Sequence, residues 1–327
     1  MKIQFPHSKS KVKALADAIS TSIMQGQLRK GHNLLSINDA SAQYEVSRDT
    51  VFKAYKELKK RDLIDSNPTK GYYVTGEVNH ILLLLDNYSS FKQNLYRQFV
   101  AKLPKNYKVD LIFHQYNEKL FETVVRESIG RYSMYVVMNP SDSTFSDVLR
   151  TIPPAKLLLL DFGNFEKESC SYICQNFHES LYDCLSTAKS ALQKYKKLVF
   201  VFPVEICHPL TSIDYFTKFC NDENFEFEII RDDIANHTMK AGVVYLCILQ
   251  EDLVKIIKKS DKKGLVVGED IGLIAYNDEP TLEIIKNGIS CISIDFGLMG
   301  AKAAKFVTTK QKIKEYLPSQ MIMRGSL

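Results

Sequence analysis

The chain has 327 residues, 45% of them apolar and 25% charged, with only 14 glycines and 10 prolines, which excludes collagen-like, low-complexity and wholly disordered proteins. That length fits two or three globular domains. The net charge is +5 and sits entirely in residues 1–77, where 13 Lys+Arg meet 8 Asp+Glu while the other 30 bases and 30 acids cancel, which suggests a small basic module, with a polyanion as candidate partner, joined to a neutral body.

In the first 75 residues, Val12, Leu15, Ile19 and Ile23 form one stripe of an amphipathic helix. Ser8 or Ser10 can cap its start, and Gly26 sits at its end. Ser36 opens a short second helix, with Asp39 three residues on as a capping-box variant. Ser47 opens a third, running to about residue 61, with Val51, Ala54, Tyr55 and Leu58 inward and Asp49, Lys53, Lys56 and Lys60 outward. Strands at 63–64 and 72–74 flank a turn at 67–71. Three helices and a two-stranded wing make a winged helix-turn-helix over 1–75. The residues expected to touch double-stranded DNA are Ser47, Arg48, Thr50 and Lys53, with Lys70 and Gly71 at the wing tip.

The stretches IMQGQLRKGHNLLS, VSRDTVFKAYKELKKRDLI and KGYYV resemble the DNA-binding domain of the GntR family of bacterial transcription regulators. The resemblance covers about residues 8–75 and implies an operator-binding role for these residues and for Ser36 and Asn38 at the start of the second helix. It has one departure: where the family carries an arginine before its second helix, this chain has Asn38, so the family's operator sequence does not transfer.

Residues 76–79 read as a linker. From 80 to 327, strand runs at 80–86, 108–114, 133–138, 156–160, 171–175, 197–202, 225–230, 242–247 and 271–275 alternate with helical segments such as 90–103, 117–130, 178–195, 210–223 and 248–260. This is an α/β fold of parallel β-α-β units, whose ligands bind beyond the carboxyl ends of the strands. The residues there are Asp86-Asn87-Tyr88, His114-Gln115, Asn139, Asp161, Gln175, Glu205 and Tyr276-Asn277-Asp278. Carboxylates, amides and aromatics suit vicinal sugar hydroxyls and the apolar face of a sugar ring.

The segments 80–99 and 264–326 resemble the ends of LacI-type effector domains, which share the periplasmic sugar-binding-protein fold. What the resemblance implies is two lobes, about 80–163 with 292–317 and 164–291 with 318–327, joined by three crossovers. It also implies a monosaccharide in the cleft and a homodimer. By position Asn277 replaces a sugar-binding aspartate and Phe296 a ring-stacking aromatic, with Asp161 and Gln175 as weaker transfers. Asn87, Tyr88, Phe91, His114 and Gln115 complete the expected effector set. The family's cleft arginine and Asn-Asp pair are absent, and His208, Gln250 or Arg231 are the candidate replacements.

The expectation is a sugar-responsive bacterial transcription regulator, a repressor in the cytoplasm. L-Fucose or arabinose is the suggested effector, since regulators of their use combine these two parts. The alternative is a constitutive DNA-binding regulator whose cleft is vestigial or takes a non-sugar ligand. No enzyme is expected: GxGxxG, GxxxxGK[ST] and GxSxG are absent, and an aminotransferase-like partner domain would need a longer chain. No cofactor or metal is expected either, since the seven cysteines form no CxxC pair and the histidines no HxxxH. Apolar runs such as 81–85 and 157–160 are far short of the roughly 20 residues of a membrane helix, and residues 1–13 lack a signal-peptide stretch.

Overall fold

Each helix of the N-terminal module begins on a serine whose side chain accepts a hydrogen bond from the first turn. In the computed structural model, which describes residues 10–61, 63–69, 71–75, 79–141, 144–161, 165–167, 169–204 and 206–327, Ser10 caps α1 (Lys11–Met24), Ser36 caps α2 (Ile37–Tyr44) and Ser47 caps α3 (Arg48–Lys60). Each cap satisfies an N–H that has no partner inside the helix. At Ser36 the exchange is two-way: Oγ accepts from Asp39 N–H at 3.2 Å and donates to Asp39 Oδ2 at 2.6 Å. Glu45, left-handed at φ 52°, ends α2 and turns the chain into α3.

Leu15, Ile19 and Ile23 pack with Val51, Ala54, Tyr55 and Leu58, and Tyr55 OH donates to the Leu35 carbonyl at 2.9 Å. The wing is β1 (Ile64–Asn67) against β2 (Gly71–Val74), antiparallel, with Asn67 opposite Gly71. Its turn is tighter than the sequence suggests, because Asn67 Oδ1 accepts from both Thr69 N–H (2.9 Å) and Thr69 Oγ1 (2.7 Å), an Asx turn.

Two six-stranded sheets follow. The first lobe contains β3 (Asn79–Leu85), α4 (Ser90–Ala101), β4 (Tyr107–Phe113), α5 (Glu118–Ser128), β5 (Met134–Met138), β6 (Leu157–Asp161) and β7 (Ser171–Gln175). The chain returns to it late with α10 (Phe296–Thr309) and β13 (Lys314–Leu317), giving the order β13-β7-β6-β5-β3-β4, all parallel. The second lobe holds α6 (Glu179–Thr187), α7 (Lys189–Leu192), β8 (Lys197–Val201), α8 (Thr211–Asp222), β9 (Glu226–Ile230), β10 (Val243–Cys247), α9 (Gln250–Lys262), β11 (Ile271–Tyr276), β12 (Ser290–Ser293) and β14 (Gln320–Ile322). Its order is β14-β12-β11-β10-β8-β9, parallel except for β14 against β12. Apolar clusters cover both faces of each sheet, which is why the central strands read as unbroken hydrophobic runs.

The chain passes between lobes three times, but two crossings lie elsewhere than the sequence suggests. β7 pairs with β6 and β13, so the first crossing follows Gln175 rather than residue 163. β12 stays beside β11, so the second follows Ser293 rather than 291. A buried run shows that a strand exists, not which sheet takes it. The strands β12, β13 and β14 are additional to those the sequence reading marks. The single helix expected over 178–195 is divided between α6 and α7.

Helices α4 and α10 approach each other closely. A Cβ on Gly300 would lie 2.2 Å from the Leu95 carbonyl oxygen, so only glycine fits where the two backbones meet. Of the expected linker, residues 76–78 lie outside the described residues and Asn79 already belongs to β3. His80 Nε2 donates to the Arg61 carbonyl at 2.9 Å, and Ser133 Oγ donates to the His80 carbonyl at 2.9 Å. The winged helix is thereby seated on the first lobe.

Candidate nucleic-acid interface and interlobe cleft

The start of α3 presents its first backbone N–H groups beside exposed Arg48, which carries no ion pair among the described residues. Ser47 and Thr50 are engaged with each other, Oγ to Oγ1 at 2.8 Å and Thr50 N–H to Ser47 Oγ at 3.1 Å. Lys53 Nζ lies 2.7 Å from Asp49 Oδ2, an exposed pair that costs little to open. Ser36 and Asn38 are exposed at the start of α2. Gly71 holds φ 72° in the wing, with open space where a Cβ would stand. Lys70 lies outside the described residues.

Between the lobes is a cavity of about 390 Å³. Asn87, Phe91, Asp161, Gln175 and Phe296 line it from the first lobe, and Gln250 and Asn277 from the second. Phe91 and Phe296 stand 4.6 Å apart, centroid to centroid, and make an apolar wall. Asn277, at φ 66°, buries its Oδ1 with no hydrogen-bond partner among the described residues. An orphaned acceptor on a cavity wall is what an incoming hydroxyl would satisfy.

Asp161 is 5% exposed, at φ 72°, and its carboxyl has no hydrogen-bond partner among the described residues. Burial pushes its pKa up to about 7; Lys92 pulls it down and the Asp86 charge adds to the rise. Near neutrality this carboxyl can therefore donate or accept. Gln175 is occupied differently: its Nε2 donates to Tyr276 OH at 3.0 Å and Ser319 Oγ at 3.1 Å. It ties the end of β7 to β11 and to the third crossover, so it serves the hinge as well as the wall.

Five expected residues lie off the wall. Tyr88 is 65% exposed and meets Phe113 edge-on. Gln115 is exposed, and its contribution is a backbone N–H to the Asp86 carbonyl at 2.6 Å. His114 is fully buried behind the wall, with Nε2 donating to the Met138 carbonyl at 3.1 Å and its ring against Phe121. His208 sits behind Tyr276, centroids 4.6 Å apart, with Nε2 2.9 Å from Ser212 Oγ. Burial pushes its pKa down to about 3, so it is a neutral packing group rather than a donor to the cleft. Arg231 likewise lies over the Phe202 ring. Glu205 lies outside the described residues. A position just after a strand does not say whether a side chain turns inward, outward or into the core.

The expected set also omitted a buried charge centre on the same wall. Asp86, with no exposed surface, is paired with Lys92 Nζ, accepts from Tyr116 OH at 2.7 Å and from Asn87 N–H at 2.6 Å. Lys92 also donates to Asn87 Oδ1 at 2.7 Å. Asp86 was visible in the sequence as the residue following β3. Lys92 reads there as an ordinary solvated helix residue, and Tyr116 as a loop residue. Across the cleft, Tyr276 and Phe177 stack at 6.4 Å. Among the described residues no group of three or more His, Cys, Asp or Glu could hold a metal ion, and no helix is long and apolar enough to cross a membrane.

Residues 11–74 match the family described as bacterial regulatory proteins, gntR family. An uncharacterised HTH-type transcriptional regulator of Bacillus subtilis is 41% identical over 64 residues, 20% of this chain and 14% of that protein, so this chain spans a small part of its relative. Among solved structures, the trehalose repressor from Escherichia coli superposes with a TM-score of 0.64 at 10% identity, covering 75% of this chain and all of that one. The lac repressor dimer bound to operator and an anti-inducer gives 0.60 at 14% identity, covering 77% of this chain and 95% of that one. At such identities the likeness is one of fold. The chain therefore carries a segment that matches the gntR family description, ahead of a two-lobed domain with the fold of these repressor structures.

Proposed function

We propose that this protein is a cytoplasmic, homodimeric repressor that binds operator DNA through α3 and the wing and changes its grip when a monosaccharide occupies the interlobe cleft. The observation that carries this is the cleft wall: the buried Asp161 carboxyl, and an Asn277 Oδ1 without a hydrogen-bond partner among the described residues, beside the Phe91–Phe296 pair. Polar groups able to exchange hydrogen bonds with hydroxyls, set against an apolar ring surface, suit a sugar. Asp86, Asp161 and Glu279 outnumber Lys92 on the wall, and Lys92 is already held by Asp86 and Asn87, which favours an uncharged sugar over its phosphate.

L-Fucose and arabinose are the first candidates. Closing the lobes on a sugar would move the first lobe, and with it the winged helix seated there through His80. In a dimer that motion alters the spacing of two reading heads, and a coupling of about 1–3 kcal/mol changes operator affinity about 5- to 150-fold. A thermal-shift panel of free pentoses, hexoses, deoxyhexoses and their phosphates tests the cleft. One free sugar raising the melting temperature by several degrees is the expected result. No shift with any of them would leave a DNA-binding regulator with a vestigial or non-sugar cleft.

A further inference from the structure

Among the described residues of the winged helix, one large apolar side chain is left exposed: Phe52, at 48%. The other apolar residues of α3, Val51, Ala54, Tyr55 and Leu58, are all 1% exposed or less. Phe52 lies one helical turn beyond Arg48, on the flank that turns toward the wing. Two turns further along the same face, Lys59 is held by Asp65 Oδ1 at 2.8 Å and Ser66 Oγ at 2.9 Å. Among the described residues, no other ring or cation packs on Phe52.

The surrounding charges name the partner. Arg48, Lys53, Lys56, Lys59 and Lys60 share the exposed surface of α3, and the helix's two acids, Asp49 and Glu57, are paired with Lys53 and Arg61. Such a surface takes a polyanion, and phosphate contacts position a protein on DNA without reading sequence. In the major groove, the apolar group a base pair offers is the C5 methyl of thymine. We propose that Phe52 is a specificity residue that packs its ring against a thymine methyl when the start of α3 enters the major groove. The proposal rests on the operator-binding reading given above and adds a base-specific contact to it.

The test uses the full-length protein and a duplex recovered by selection from a random-sequence library. Each thymine is replaced in turn by uracil, which lacks only the methyl. At one position per half-site the wild type should lose about fourfold in affinity, the worth of burying one methyl group. Phe52→Ala should show a similar loss on the unmodified duplex and none further on the uracil duplex, while Phe52→Leu keeps most of the thymine preference. A melting temperature equal to that of the wild type shows that the exposed substitution leaves the fold intact. If no uracil weakens binding while Arg48→Ala does, the thymine contact is overturned and the operator-binding reading stands. If Phe52→Ala weakens the thymine and uracil duplexes equally, the contact is again overturned. If Arg48→Ala also leaves binding unchanged, α3 is not the reading helix and the proposal falls with that reading.

Discussion

Asp161→Asn tests whether the cleft is built at a cost to stability. The native carboxyl is buried, without a hydrogen-bond partner among the described residues, and has its pKa raised from 3.8 to about 7. The folded state therefore binds its proton more tightly than the unfolded state does. Well below pH 3.8 both states are protonated and the group is neutral in its effect. As pH rises the unfolded chain ionises first, so stability falls, and above pH 7 the full penalty is present. A shift of about three units corresponds to about 4 kcal/mol above pH 7, and to about 2 kcal/mol at pH 5. Asparagine has the same shape and no charge to bury. It should stabilise the ligand-free protein, more at pH 8 than at pH 5. Urea unfolding of wild type and variant at the two pH values reads the difference directly. An advantage of the variant that stays constant or shrinks toward pH 8 would refute the reasoning, because a mere packing change has no such pH dependence.

Arg48→Ala should weaken operator binding at least tenfold in a titration while leaving the melting temperature unchanged, since its side chain is exposed and outside the module's core. Asn277→Ala should abolish the response to the sugar and leave operator affinity intact, which calorimetry and a gel shift would check together. Gly300→Ala should destabilise the first lobe by several kcal/mol, because its methyl would stand 2.2 Å from the Leu95 carbonyl oxygen; a wild-type melting curve would contradict the close approach of α4 and α10.

The parts most legible in the sequence were those with local causes. Ser36 and Ser47 announce helix starts because a side-chain oxygen three residues before an N–H is enough to cap it, and the structure has both caps. The buried strands β3, β5 and β6 are runs that only a two-sided sheet would hide. What escaped depends on long-range geometry. Whether β7 joins the first or second sheet is set by its neighbours β6 and β13, some of them 140 residues away in sequence. Lys92 lies on a helix whose polar face reads as solvated, and only its place beneath Asp86 makes it part of the cleft. His114 and His208 stand in loops where ligands bind in this fold, yet their rings turn into the cores behind the wall.

The central claim is that one ligand event in the cleft alters the grip of α3 on DNA. Its most direct test is the operator affinity of the full-length protein, measured at fixed salt with and without a saturating free sugar. The account predicts a change of about 5- to 150-fold with the sugar that raises the melting temperature, and no change with that sugar in Asn277→Ala. A sugar that binds and stabilises the protein but leaves operator affinity unchanged would contradict it.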